Sequence, residues 1–243
     1  MSTVLVTGSS GGLGRETATA LLDQGHRVIV HARYVDRLAT VGDLRDRGAA
    51  AVVGDLADQA QTRAVADQVN RLGPVSAVIH NAGVYSGRHV LPVNIVAPYL
   101  LTALIDRPQR LVYLSSGMHL GGRADLQRQD WTGSKRAGSY SDSKLFVTAL
   151  ALAVARLWPE VTANAVDPGW VPTSMGGPDA PDDLALGHLT QEWLSTSDEP
   201  DARTTGGFWF HQRLRPPHQA AGDHRFQDDV VAELAAVTGV PLS

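Results

Sequence analysis

Short apolar, β-branched runs alternate with longer segments of helical period along the chain, and this rhythm narrows the fold before any motif is considered. The runs are residues 4–7, 27–31, 50–53, 77–80, 110–114 and 161–166, with an aromatic one at 207–210. Between them, 15–24, 35–47, 60–72, 90–105 and 141–157 carry apolar residues at helical spacing. Strands that are almost continuously apolar are buried on both faces, and their alternation with helices builds βαβ units and a parallel sheet. The expectation is an α/β fold: six or seven strands in one doubly wound, mostly parallel sheet, with helices on both faces. That uses almost all of the 243 residues as a single domain, 1–243.

Two segments break the rhythm. Residues 117–139 are rich in glycine and polar side chains. Residues 170–200 are rich in Pro, Gly and Asp around a short helical stretch at 183–194. Long irregular segments after strand ends are where open α/β sheets bind ligands, so about 170–200 is expected to be a substrate loop. Residues 228–237 read as a terminal amphipathic helix.

Composition removes several chemistries. There is no cysteine, which excludes disulfides, thiolate metal sites and a thiol nucleophile. No metal site is expected. The net charge is −4 without a basic block, which argues against a nucleic-acid partner. No apolar run approaches the ~18 residues a membrane helix needs. Residues 1–7 lack the basic and long apolar regions of a secretory leader. A cytoplasmic protein without membrane contact is the expectation. Of 21 basic residues only Lys135 and Lys144 are lysine.

The first run leads into Thr7-Gly8-Ser9-Ser10-Gly11-Gly12-Leu13-Gly14, and a helix follows. Such a loop lets backbone N–H groups approach a pyrophosphate while the helix N-terminus favours its charge. Two spacings fit, one through Gly8, Gly12 and Gly14, the other through Gly8, Gly11 and Gly14. Ser10 and Leu13 belong to the same candidate cradle. The second run ends His31-Ala32-Arg33 without the carboxylate that would bind ribose hydroxyls and favour NAD. Arg33 offers a charged fork to a 2′-phosphate instead, so NADP is the expected cofactor, with NAD possible. Arg15 adds positive charge nearby.

Tyr140 and Lys144 are four residues apart on one expected helix face. A phenol of pKa about 10 exchanges protons poorly near neutrality, and a neighbouring ammonium stabilises its phenolate. Ser115 and Ser116 follow the 110–114 run and bring hydroxyls to a strand end.

With these residues in place the chain resembles the short-chain dehydrogenase/reductase family over residues 3–240. The matching motifs are the glycine loop, Asp55-Leu56, Asn81-Ala82-Gly83, Asn94, Ser115-Ser116, Tyr140 with Lys144, and Asp167-Pro168-Gly169 with Thr173. The resemblance implies a Rossmann-type fold and hydride transfer between a nicotinamide and a carbonyl or alcohol. It implies a catalytic set of Asn94, Ser116, Tyr140 and Lys144. Ser116 would hydrogen-bond the substrate oxygen, Tyr140 would exchange its proton, and Lys144 would lower the phenol pKa and hold the nicotinamide ribose. It also implies cofactor contacts at Asp55, Leu56, Asn81, Ala82, Gly83, Pro168, Gly169, Val171 and Thr173. Pro98 lacks an N–H, so the Asn94 carbonyl loses its helical partner and is open to a water, which in the family relays protons from the lysine.

The long gap between Ser116 and Tyr140, the Ser-Ser-Gly-Met-His string at 115–119 and Gly206-Gly207-Phe208-Trp209 resemble the retinol-dehydrogenase-like branch. An apolar or aromatic substrate is expected, in a pocket drawn from Met118, His119, Trp170, Met175, Leu184, Leu189 and Trp193. Two other readings are weighed. A sugar-nucleotide epimerase would have a larger domain after Lys144. A non-catalytic dinucleotide-binding redox sensor would not need the intact tetrad. Family members often pair through helices corresponding to 90–105 and 141–157, so a homo-oligomer is expected.

Overall fold

The computed structural model describes residues 1–135 and 138–242. Its eight strands form one sheet: β1 (Thr3–Val6), β2 (Arg27–Ala32), β3 (Ala50–Val53), β4 (Ala77–His80), β5 (Arg110–Leu114), β6 (Thr162–Asp167), β7 (Phe208–Phe210) and β8 (Arg213–Arg215). Their spatial order is 3-2-1-4-5-6-7-8. The first seven run parallel, and the single domain is of the Rossmann type. Strand order reverses between β1 and β4, which opens a crevice at their carboxyl ends.

The eighth strand goes beyond the expected six or seven. It pairs antiparallel with β7 across a turn in which His211 and Gln212 have φ of 47° and 57°. Two consecutive left-handed residues give a tight hairpin whose twist suits its strands. His-Gln is not the Asn-Gly pair that usually flags such a turn, and β8 is exposed throughout.

The helices are α1 (Gly12–Asp23), α2 (Gly42–Asp46), α3 (Gln59–Arg71), α4 (Ala97–Leu104), α5 (Tyr140–Leu157), α6 (Leu184–Thr196), α7 (Gln219–Gly222) and α8 (His224–Thr238). Asp58, Ser139, Asp183 and Asp223 cap α3, α5, α6 and α8 with their side chains. The expected helix at 35–47 divides into a 3-10 stretch, Val35–Val41, and α2. The expected helix at 90–105 begins as a π turn, Pro92–Val96, in which the Ala97 N–H donates to the Pro92 carbonyl. A proline ring collides with the carbonyl four residues back in a regular α-helix. The wider turn ahead of Pro98 accounts for the irregularity around Asn94.

Side chains alternate faces along a strand, and that period sorts the core. Leu5, Ile29, Val78, Leu111 and Ala163 join the cluster under α3, α4, α5 and α8. Val4, Val6, Val30, Ile79 and Leu114 join the one under α1 and α6. The chain itself also covers α4 and α5. Phe146 of α5 meets Trp131 and Phe226 of α8 at ring distances of 5.6 and 6.2 Å. Tyr99 of α4 donates to the Val240 carbonyl at 2.7 Å. Arg156 of α5 bonds Gln227 at 3.1 Å and pairs with Asp228. Among the described residues no helix is long and apolar enough to cross a membrane.

Candidate active site

A cleft of about 390 Å³ opens at the carboxyl ends of β1 and β4. Its walls include Gly8, Ser10, Gly12, Leu13, Gly14, Arg33, Asp55, Leu56, Asn81, Ala82, Gly83, Tyr140, Lys144, Pro168 and Thr173. The residues named for a cofactor are thus brought together from five loops. Gly169 and Val171 do not line it. Gly169 turns with φ 84° against Asp182, and Val171 is buried beside Gly187 of α6. Both shape the loop from behind.

The glycine loop resolves its two spacings in favour of Gly8, Gly12 and Gly14. Gly8 and Gly12 have φ of 66° and 55°, in the left-handed region that glycine adopts without strain. A Cβ on Gly14 would lie 2.3 Å from Asn81 Nδ2 and 2.7 Å from the Gly8 carbonyl oxygen. Gly11 is extended and would tolerate a Cβ. Unlike α3, α5, α6 and α8, helix α1 has no side-chain cap, and its first turn carries no acidic residue. Its first N–H groups therefore fit a pyrophosphate.

Asn81 and Thr7 fasten the loop to the end of β4. The Thr7 hydroxyl accepts from the N–H groups of Asn81 and Ala82 at 2.9 and 3.0 Å, and Asn81 Nδ2 donates to the Thr7 carbonyl at 2.8 Å. His31 was not among the expected site residues, yet it lines the cleft and is buried. Its Nδ1 accepts the Gly8 N–H at 3.0 Å, so its Nε2 proton goes to the Gly54 carbonyl at 2.9 Å. The available signal was a polar residue inside the apolar run Val28-Ile29-Val30. His89, Val93 and Met175 also line the cleft.

At the β2–β3 end of the cleft, Arg33 is half exposed and pairs with Asp55 at 2.7 Å. The Tyr34 hydroxyl bonds the same carboxylate at 3.2 Å. Burial pushes the Asp55 carboxyl up, but Arg33, the Ala57 N–H and the Tyr34 hydroxyl together hold it below its ordinary pKa. Arg15 does not add charge here. It bonds Asp43 at 2.7 Å and the Thr40 carbonyl.

At the other end, Tyr140 is the first residue of α5 and Lys144 follows one turn later. Lys144 is buried, and its Nζ donates to the Leu114 carbonyl at 2.7 Å, 5.4 Å from the Tyr140 ring centroid. Burial pushes Lys144 down to about 8, with Asp167 opposing. Burial pushes the Tyr140 phenol up to about 12, with a hydrogen bond to Ser116 opposing. The expected lowering of the phenol by Lys144 is therefore not met by these side chains alone.

Ser116 is the serine that draws the Tyr140 phenol down, although Ser115 and not Ser116 lines the cleft. The Ser115 hydroxyl is engaged by Thr148 at 2.7 Å and the Lys144 carbonyl at 3.2 Å. Asn94 acts on the frame. Its amide bonds both the N–H and carbonyl of Val84, at 2.8 and 3.0 Å, and the Ser143 hydroxyl at 3.0 Å.

Of the seven side chains expected to form an apolar pocket, Met175 lines the cleft. Trp170 is exposed and pins the loop by donating to the Gly176 carbonyl at 2.8 Å. Trp193 turns away, edge-on to Trp209 at 5.2 Å. Tyr85, 53% exposed, stands 4.9 Å from the Tyr140 ring.

The family model for short chain dehydrogenases matches residues 2–103. An uncharacterised oxidoreductase of Emericella nidulans is 34% identical, with 99% of this chain and 98% of that protein covered. A short-chain dehydrogenase of Gibberella zeae is 34% identical over 100% of this chain and 99% of its own length. Human retinol dehydrogenase 13 is 29% identical, over 72% of this chain and 60% of that protein. Among solved structures, an uncharacterised protein from Mycobacterium paratuberculosis has a TM-score of 0.80 at 23% identity, with 100% of this chain and 95% of that one covered. A blue fluorescent protein from a metagenomic library, solved with NADPH, has a TM-score of 0.70 at 22% identity, over 86% and 95%. These two likenesses concern the fold.

Proposed function

The chain belongs to the short-chain dehydrogenase/reductase family, and on that premise we propose that it is an NADP(H)-dependent oxidoreductase interconverting a carbonyl and an alcohol. One observation carries this reading. Tyr140 stands one turn from the buried Lys144 ammonium, in the same cleft as an uncapped helix start and its glycine loop.

The residues fit a dinucleotide. The α1 N-terminus and the loop around Gly12 would hold the pyrophosphate, Asp55 and Leu56 the adenine, and Arg33 a 2′-phosphate. Lys144 has one of its three donors on Leu114, which leaves two for a ribose. A bound nicotinamide supplies or accepts the hydride. In reduction, the Ser116 hydroxyl donates a hydrogen bond to the substrate carbonyl oxygen, and Tyr140 Oη–H gives that oxygen its proton. A phenol held at about 12 carries its proton at neutral pH, as the donor role in reduction requires. Reprotonation runs through Lys144 to a water at the Asn94 carbonyl, whose helical donor Pro98 removes.

Tyr85 and Met175 at the mouth support an apolar or aromatic substrate. The intact tetrad favours this reading over a non-catalytic sensor. A homo-oligomer, proposed with a cytoplasmic location, would use a face other than α4 and α5, since the chain covers those itself. The test is NADPH consumption with a panel of aryl and aliphatic aldehydes and ketones, repeated with NADH. Turnover with NADPH preferred is the expected result. Binding of NADPH without turnover across the panel would favour the sensor.

A further inference from the structure

His119 is fully buried next to the Ser116 turn, although the chemistry above does not use it. It lies in the 3-10 stretch Gly117–Gly121 that follows β5. Both ring nitrogens are committed. Nε2 is 3.0 Å from the backbone N of His218, and a backbone N–H only donates, so Nε2 is the acceptor. The ring proton is then on Nδ1, which donates to the Ser116 carbonyl at 2.8 Å. The same carbonyl accepts the N–H of His119 at 3.0 Å. Phe208 of β7 packs on the imidazole, with ring centroids 4.3 Å apart.

The other side of Ser116 is also tied. Its Oγ accepts the Met118 N–H at 3.2 Å, and its hydroxyl draws the Tyr140 phenol down against the upward push of burial. His218 in turn caps α7, accepting the Ala220 N–H on Nδ1 at 3.0 Å. Ala221 of α7 belongs to the same core cluster as α5, the helix that carries Tyr140. A chain of contacts results, from Ser116 through His119 and His218 to α7 and to α5, the helix that begins at Tyr140.

We propose that His119 is a positioning residue for Ser116, fixing the peptide that aims its Oγ at Tyr140 and the substrate oxygen, and linking the segment around His218 to the active site. The inference rests on the role given to Ser116 above. A histidine that merely fills space would be replaceable by phenylalanine, which keeps ring volume and the contact with Phe208. A positioning histidine would not be, because an error of about 1 Å at a reacting group costs about 10²-fold.

The test is a double-mutant cycle between His119→Phe and Ser116→Ala, read as kcat and as NADPH affinity. His119→Phe is expected to lower kcat by roughly 10–100-fold with NADPH affinity unchanged. In the Ser116→Ala background it should change kcat less than about twofold. An equal fall in both backgrounds, or an unchanged kcat in the first, overturns the proposal. If His119→Phe does not fold, His218→Pro serves the same cycle. The φ of His218 is −53°, which proline adopts, and the change removes the N–H that reaches His119. Its expected effect is a several-fold loss of kcat that vanishes with Ser116→Ala; equal losses overturn the link. Should the wild-type chain turn over no carbonyl, the oxidoreductase reading fails, and the imidazole is then judged by its NMR tautomer. A proton on Nδ1 keeps the arrangement, and a proton on Nε2 overturns it.

Discussion

The two ends of the cleft are built on different principles. The glycine-loop end is made of backbone and short side chains in tight register, with Thr7, Asn81 and His31 spending their hydrogen bonds on it. The Tyr140 end has an equally fixed floor in Lys144 and Ser116, but its rim is long, exposed and apolar. Tyr85, against the Tyr140 ring, and Met175, in the cleft wall, are 53% and 45% exposed. A tight cradle suits a ligand of constant shape. A rim of a flexible methionine and an exposed aromatic ring suits an apolar ligand whose shape the rest of the fold does not dictate.

Breaking the tight end should have the largest effect. Gly14→Ala drives a methyl into Asn81 and the Gly8 carbonyl. The cost of such overpacking is about 1–3 kcal/mol, and NADPH affinity should fall about 100-fold in titration. Gly11→Ala, which meets open space, is the matched control for stability. Arg33→Asp should shift the NADPH-to-NADH affinity ratio about tenfold toward NADH, the worth of one charge-assisted hydrogen bond. An unchanged ratio would remove Arg33 from phosphate recognition.

Lys144 joins the two ends, and its pKa sets a pH limit. It is lowered by burial to about 8, so it is charged at pH 7 and loses its proton as pH rises. NADPH affinity should therefore hold below pH 8 and fall several-fold above it, and Lys144→Met should flatten that fall. The sign for stability is opposite. Between pH 8 and 10.5 the unfolded lysine binds a proton that the folded one has released, so stability rises through that window. At the rim, Met175→Ala should raise KM for an apolar carbonyl by about two- to fivefold, in line with the modest worth of one buried apolar group, and leave KM for NADPH alone.

Much of this was legible in the sequence because it rests on short-range rules. Alternating periods marked out the sheet, and the helical period at 141–157 placed the start of α5 within one residue. The spacing of Tyr140 and Lys144 put both in one cleft. What escaped depends on contacts distant in the chain. The ties of His31 to Gly8 and Gly54 need three strand ends brought together. The tie of His119 to His218 spans most of a hundred residues. The covering of α5 by Trp131 and Phe226 is a packing outcome that no local pattern encodes. Trp193 reads as a pocket residue from its place in a substrate loop, but the register of α6 turns it toward Trp209. The protonation state of Tyr140 also depends on burial, which spacing alone does not give.

The central claim is that Tyr140 moves the proton while the rest of the cleft holds the cofactor. Tyr140→Phe removes one oxygen and keeps the ring that meets Tyr85. The direct measurement is kcat for NADPH-dependent carbonyl reduction by this variant, beside its NADPH affinity. The account predicts a fall in kcat of about 10²–10⁴-fold, the usual worth of a positioned acid, at unchanged affinity. A variant that turns over at the wild-type rate would contradict it.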